Sequence, residues 1–324
     1  MKPLINPVPA SFFGIALGSL ALANAWRVGV SVFHLPEEIA SVLTFVALIV
    51  WVGLLSGFAY TWLQHRAIAR AEFENPVQAA YISLIPTSSM LAAAIILPSS
   101  RELAIGIYVI AAIASLLLGA RHYSRIWKGH LEAAQVTPVS YLPGVAPNLV
   151  AGGVAAAFGW HQLGGLFFGA GMLSWFAIES MILNCSAAHA ELDAKVRPGL
   201  GIQLAPPVVA GGAYLSLTTG SPDLFAYALL GYGLYQVATM AKLFPWISRQ
   251  PFAPGYWGFS FGLAALPTMA MRLMERGAAG SVEWIAIATF IGANVAIGVL
   301  VVRTIGLVLE GKLLPTPALP AAAR

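Results

Sequence analysis

Long apolar runs alternate with short polar breaks along almost the whole of this 324-residue chain. A helix that crosses a membrane needs about 20 largely apolar residues, and the pattern predicts ten such segments. They run from Pro9 to Val30, Glu37 to Gln64, Val77 to Leu97, Glu102 to Trp127 and Tyr141 to Gly159 in the first half. Leu163 to Ala187, Gly199 to Leu217, Asp223 to Phe244, Gly255 to Arg272 and Val282 to Leu309 follow. Residues 1–314 read as one all-α transmembrane domain, and the Pro- and Ala-rich stretch 315–324 reads as a disordered tail.

Prolines divide these segments into two classes. The odd-numbered ones carry prolines in or just before them: Pro9, Pro86, Pro143 with Pro147, Pro206 with Pro207, and Pro254 with Pro267. The even-numbered ones carry none inside, with Pro36, Pro98, Pro222 and Pro245 at their ends. A proline-bent helix loses backbone hydrogen bonds, which is tolerated where it faces protein or a water-filled path rather than lipid. The expected architecture is therefore five pseudo-repeated helical hairpins. Bent odd helices form an inner ring and straight even helices an outer layer.

Composition agrees: 59% of residues are hydrophobic and 9% charged, against about 25% charged in soluble domains. Residues 1–9 are too short and too proline-broken for a signal peptide. Cys185 is the single cysteine, which leaves no internal disulfide and no thiolate metal cluster. The net charge of +4 resides in loops, where it sets topology rather than binding nucleic acid. With the N-terminus cytoplasmic, most lysines and arginines fall on the inner side, and only Arg27, Arg101, Arg272 and Arg276 fall outside. Both termini are then expected in the cytoplasm.

The charges also narrow the chemistry. None of the odd segments contains an Asp or Glu. A cation channel would show carboxylate rings, and a proton-driven pump an intramembrane chain of acids or histidines. A path lined by small and apolar residues suits weakly bound anions, attracted by helix ends and hydroxyls. The stretch Tyr256 to Pro267 is the sharpest piece of that path. Gly258 and Gly262 allow close approach on one face, Phe261 is a large ring among small residues, and Pro267 can bend the helix beyond. Gly14 and Gly18 are their counterparts on the first helix, whereas Gly165 and Gly169 read as a packing face. Pro86, Pro143 and Pro206 mark the remaining bends.

Glu179, on the sixth segment, is the one acid well inside a span. A structural ion pair with Arg121 is expected in preference to proton coupling. The six histidines fall near segment ends without metal-site spacing, and Trp26, Trp62, Trp127, Trp160, Trp246 and Trp257 suit an interfacial belt. No nucleotide-binding, triad or metalloprotease motif occurs, so no enzyme activity and no cofactor or metal is expected.

Several motifs occur together in a recognisable order. They are Pro9-Ala10-Ser11-Phe12-Phe13-Gly14-Ile15, Leu84-Ile85-Pro86-Thr87, Tyr141-Leu142-Pro143 with Asn148, and Leu166-Phe167-Phe168-Gly169-Ala170-Gly171-Met172. Leu243-Phe244-Pro245-Trp246 and Trp257-Gly258-Phe259-Ser260-Phe261-Gly262 complete the set. Through them the chain resembles, over nearly its whole length, the TehA family of bacterial tellurite-resistance membrane proteins. That family is related to plant guard-cell slow anion channels and the yeast malate permease. The resemblance implies a homotrimer in the bacterial inner membrane, each protomer holding its own pore of five inner helices. It also implies that Phe261 blocks the pore at mid-membrane. Passive conduction of chloride, nitrate or tellurite follows from it, with membrane lipid the only other partner. The alternative is a proton-coupled carrier for dicarboxylates or sulfite. Pro147, just before Asn148, departs from the family pattern.

Overall fold

The computed structural model describes residues 6–188 and 191–314, so the tail at 315–324 lies outside the described residues. After a 3-10 turn at Ala10–Phe12 come helices α1 (Phe13–Phe33), α2 (Glu37–Gln64), α3 (Arg66–Glu74), α4 (Pro76–Ile82), α5 (Leu84–Ile96) and α6 (Arg101–Trp127). Two short 3-10 turns lead into α7 (Tyr141–Gly144), α8 (Ala146–Ala157) and α9 (His161–Ala188). A longer 3-10 segment, Arg197–Leu204, precedes α10 (Ala205–Leu217) and α11 (Leu224–Ile247). Another, Pro254–Phe259, precedes α12 (Ser260–Glu275) and α13 (Ser281–Leu309). Among the described residues there is no strand.

Eight helices are long and apolar enough to cross a membrane, or nine if the bent pair ending in α7 and α8 is counted as one span. The remaining expected segment, the ninth, is α12 with its 3-10 turn. Pro254, Tyr256, Trp257, Thr268 and Arg272 dilute its apolarity, and its 16-residue helical part is short. The dilution has a physical reason: Ser260, Phe261, Gly262, Ala264, Leu266, Pro267, Met269 and Ala270 are all buried in protein and need not match lipid.

Five helices, α1, α5, α8, α10 and α12, pack in that order, and α12 returns to α1, so the contacts close into a ring. Each is followed in sequence by a long helix packed on its outside: α2, α6, α9, α11 and α13. The two classes differ in burial. In the apolar windows of α1, α4–α5 and α10, 50, 67 and 61% of residues are buried, against 17, 33, 33, 33 and 22% in the outer helices. The outer helices carry Val, Ile, Leu and Phe outwards, such as Phe45 and Ile49 on α2 and Ile110 and Leu117 on α6. Those are the side chains a lipid-facing surface needs.

The ring helices differ again in how they begin. α1, α10 and α12 each start from a 3-10 segment. α4 gives way to α5 at Ser83, and the chain bends by 43° between α7 and α8 at Val145. There the Asn148 side chain donates to the Gly144 carbonyl at 2.7 Å, capping the break with a polar group that Pro147 cannot supply. The outer helices run unbroken for 24 to 29 residues. One sequence expectation needs correction here: Pro245 lies inside α11, in its last turn, rather than at its end. The lost bond falls where the helix is about to stop, so the helix tolerates it.

The linker after α2 is helical. α3 is held against α6 because Arg121 stacks on the Phe73 ring at 4.0 Å and donates to its carbonyl at 3.2 Å. Arg125 donates to the Glu74 carbonyl at 2.7 Å. Glu72 in turn accepts from the Ala10 amide at 2.8 Å, at the start of the first ring helix, where a carboxylate offsets the helix-end donors. Burial holds this carboxyl above the usual range, and the Ala10 bond opposes that.

Close helix packing depends on particular glycines. A Cβ on Gly262 would lie 2.5 Å from Leu204 Cβ and 2.7 Å from the Leu204 carbonyl carbon. A Cβ on Gly18 would overlap the Ser260 side chain, which is fully buried and donates to the Trp257 carbonyl. Gly165 and Gly169, expected to form a packing face, meet nothing within 4 Å. The contact between α8 and α9 uses Gly164 and Gly171 instead, against Gly152 and Leu149. Gly262→Ala is therefore expected to destabilise the protein by about 1–3 kcal/mol through overpacking. Gly165→Ala is expected to be neutral or to gain up to about 1 kcal/mol in helix propensity. Thermal unfolding in detergent, read by circular dichroism, checks the contrast; equal shifts would contradict it.

Candidate permeation path

The ring encloses two cavities on either side of one side chain. The wider, about 210 Å³, is lined by the later turns of all five ring helices, including Asn24, Ile95, Gly153, Ser216, Thr268 and Arg272. The narrower, about 50 Å³, is lined by their first turns and the 3-10 segments before them, including Ser11, Leu84, Tyr141, Ile202 and Trp257. Early residues of every ring helix thus gather at one end and late residues at the other, so the five helices run parallel. Phe261 is the residue common to both linings. It is 7% exposed, and no aromatic ring pairs with it among the described residues.

Both linings are mostly apolar, and neither contains a carboxylate among the described residues. The polar groups of the wider cavity are an amide, two hydroxyls and the Arg272 guanidinium, which is paired with Glu275 at 2.6 Å and half exposed. At the opposite end the starts of five parallel helices converge. The turns before them take up their first amides, as Phe13, Tyr141, Ala205 and Ser260 donate to the carbonyls of Ala10, Pro138, Ile202 and Trp257, so what that end gains is the aligned helix dipoles rather than free donors.

The residues singled out from the sequence divide as follows. Phe261, Gly14, Pro206 and Gly258 line the cavities. Gly18, Pro86, Pro143, Gly262 and Pro267 are buried in the walls behind it. Gly18 and Gly262 set the close contacts described above, and α12 continues through Pro267 as one helix. Trp257 does not face lipid. It is 2% exposed, and its indole nitrogen donates to Thr304 Oγ1 at 2.9 Å.

The expected ion pair of Glu179 with Arg121 is not formed. Arg121 is engaged by Phe73, as described, while Glu179 accepts from four neutral groups. These are the Tyr141 hydroxyl at 2.5 Å, the Gln203 amide at 2.7 Å, the Trp175 indole at 2.9 Å and the Tyr232 hydroxyl at 3.0 Å. Sequence reading missed this arrangement because the donors come from four separate elements. Only Trp175 stands at a telling distance, one helical turn before the acid on α9. Reading also passed over Arg272 as an end residue, although a position one turn beyond Thr268 on a ring helix places it at the cavity.

Comparison with known proteins matches this architecture. Over residues 7–305 the chain matches the family described as voltage-dependent anion channel. It is 36% identical over 308 residues to the tellurite resistance protein TehA homolog of Haemophilus influenzae, covering 94% of this chain and 92% of that one. An uncharacterized transporter of Methanocaldococcus jannaschii is 22% identical over 285 residues, covering 80% and 81%. A ring of buried, broken helices inside a coat of apolar ones, matched along nearly its full length, makes this chain a member of the membrane-embedded voltage-dependent anion channel family.

Proposed function

We propose that this protein is a passive anion channel of the bacterial inner membrane, closed by the Phe261 ring. The observation that carries the reading is the position of Phe261 as the one residue shared by the linings of two cavities inside the ring, one at the early and one at the late ends of its helices. An apolar constriction excludes ions by excluding their water. A ring free of aromatic partners can swing between rotamers quickly when its surroundings loosen.

The choice of anion over cation rests on charge. No described carboxylate lines the path, Arg272 lines its wider cavity, and parallel helix starts converge on its narrower end. Glu179 lines neither cavity, which weighs against a proton-coupled carrier for dicarboxylates or sulfite. In this reading the ten segments form five pseudo-repeated hairpins, α12 with its 3-10 turn being the ninth span. Both termini are cytoplasmic, and the unit assembles as a homotrimer with one pore per protomer. Chloride and nitrate are the expected permeants. Tellurite resistance is the associated phenotype, as the name of the Haemophilus relative suggests.

Phe261→Ala is expected to raise chloride current at least tenfold over the parent in planar bilayers or oocytes, with a reversal potential that follows the chloride gradient. Equal currents would remove Phe261 as the block. Saturable, pH-dependent dicarboxylate or sulfite uptake, with no current in either protein, would favour the carrier. In the Phe261→Ala background, Arg272→Gln is expected to lower chloride conductance about two- to threefold at 10–20 mM salt. The difference should fade near 1 M, where the Debye length is about 3 Å. A loss independent of salt would show that Arg272 acts through structure rather than charge.

A further inference from the structure

Outside the ring, the least expected feature is the carboxylate of Glu179. Its four donors belong to four elements. Trp175 and Glu179 share α9, and Tyr232 stands on α11, both outer helices. Tyr141 is the first residue of α7, and Gln203 belongs to the 3-10 segment before α10, both at the broken starts of ring helices. Tyr141 is fully buried and Gln203 nearly so, and the Tyr141 hydroxyl also lies 3.1 Å from Gln203 Oε1. One carboxylate therefore ties two irregular segments of the ring to two rigid outer helices.

Those segments surround the blocking side chain. Tyr141 lines the narrow cavity that ends at Phe261. Gln203 directly precedes Leu204, whose Cβ and carbonyl carbon occupy the space a side chain on Gly262 would need. Ile202, on the other side of Gln203, lines the narrow cavity and meets Gly258 in the same way. The backbone on which Phe261 is mounted thus rests on the 3-10 segment that Glu179 holds. Such a segment has poorer hydrogen-bond geometry than an α-helix and relies more on outside partners to keep its place.

We infer that Glu179 is a positioning residue for the Phe261 block: by fixing Tyr141 and Gln203 it keeps the 3-10 segment at Gln203 and Leu204 pressed on Gly262 and holds the ring across the path. This rests on the proposed occlusion by Phe261. Exchange of the carboxylate for an amide replaces an acceptor for four donors with a group that itself donates. The two tyrosine hydroxyls can accept from the amide, but the Trp175 indole and the Gln203 amide only donate, so whichever way the amide turns one of those two faces another donor and the support under Gly262 loosens.

The test is a double-mutant cycle on chloride conductance with the parent, Glu179→Gln, Phe261→Ala and the double variant, each incorporated at equal amount. Glu179→Gln is expected to raise the parent conductance at least fivefold and to change the Phe261→Ala conductance less than twofold, because the ring through which it acts is gone. Moving the carboxylate across the contact, Glu179→Gln with Gln203→Glu, is expected to restore low conductance. The same factor in both backgrounds, or no change in the parent, would overturn the inference. A Phe261→Ala conductance no higher than the parent marks failure of the occlusion reading itself, and the inference falls with it. Should Glu179→Gln not accumulate, Tyr232→Phe, on α11 and in neither cavity lining, removes one of the donors that anchor the carboxylate. It is expected to raise conductance in the parent and not in the Phe261→Ala background, and a null effect there counts equally against the inference.

Discussion

The controlling constraint is that lipid offers no hydrogen bonds to an exposed backbone group. A chain that needs a polar-tolerant path through a membrane must therefore break some helices, and it can break them only where other helices cover the breaks. All five ring helices have an irregular start or an internal break, and each is backed by an unbroken outer helix. The packing that makes this cover complete is built on alanine and glycine. Gly18 against Ser260, Gly262 against Leu204 and Gly152 against Gly164 let backbones approach to distances that any side chain would prevent.

From that arrangement the electrostatics follow with little further help. Parallel helices align their dipoles, so the end where they start is favourable to negative charge without a single fixed base in the narrow cavity. At the other end Arg272 supplies a charge already moderated by Glu275. Weak binding at both ends suits a conduit, since an anion held tightly would not leave. In the proposed reading, the side chain between them needs only bulk and an apolar surface to interrupt the water column.

The sequence exposed the large features because they are periodic or compositional. Proline on alternate segments anticipated which helices are broken, and the absence of acids from the same segments anticipated linings free of carboxylates. Phe261 stood out because it is flanked by Ser260 and Gly262, whose small size is a local property. Features that require long-range contacts were hidden. Glu179 looked like an ion-pairing residue because its partners, 4 to 53 positions away in sequence, are neutral. Gly165 and Gly169 had the right spacing for a contact face yet point away from the chain, while Gly164 and Gly171 make the contact. Helix periodicity alone leaves the phase of such a pair open. The burial of Trp257 was hidden for a related reason: aromatic position along the chain says nothing about whether Thr304, 47 residues later, is waiting for its nitrogen.

The contact that completes the ring joins its first member, α1, to its last, α12, through Gly18 with Ser260 and Gly14 with Trp257. During synthesis the wall thus stays an open trough until α12, Ser260–Glu275, has been inserted. A chain that stalls before Ser260 exposes a furrow on its side, which lipid or a quality-control protease can occupy, and encloses no tube. The order of helices along the polypeptide therefore makes the helix that closes the ring the same one that carries Phe261.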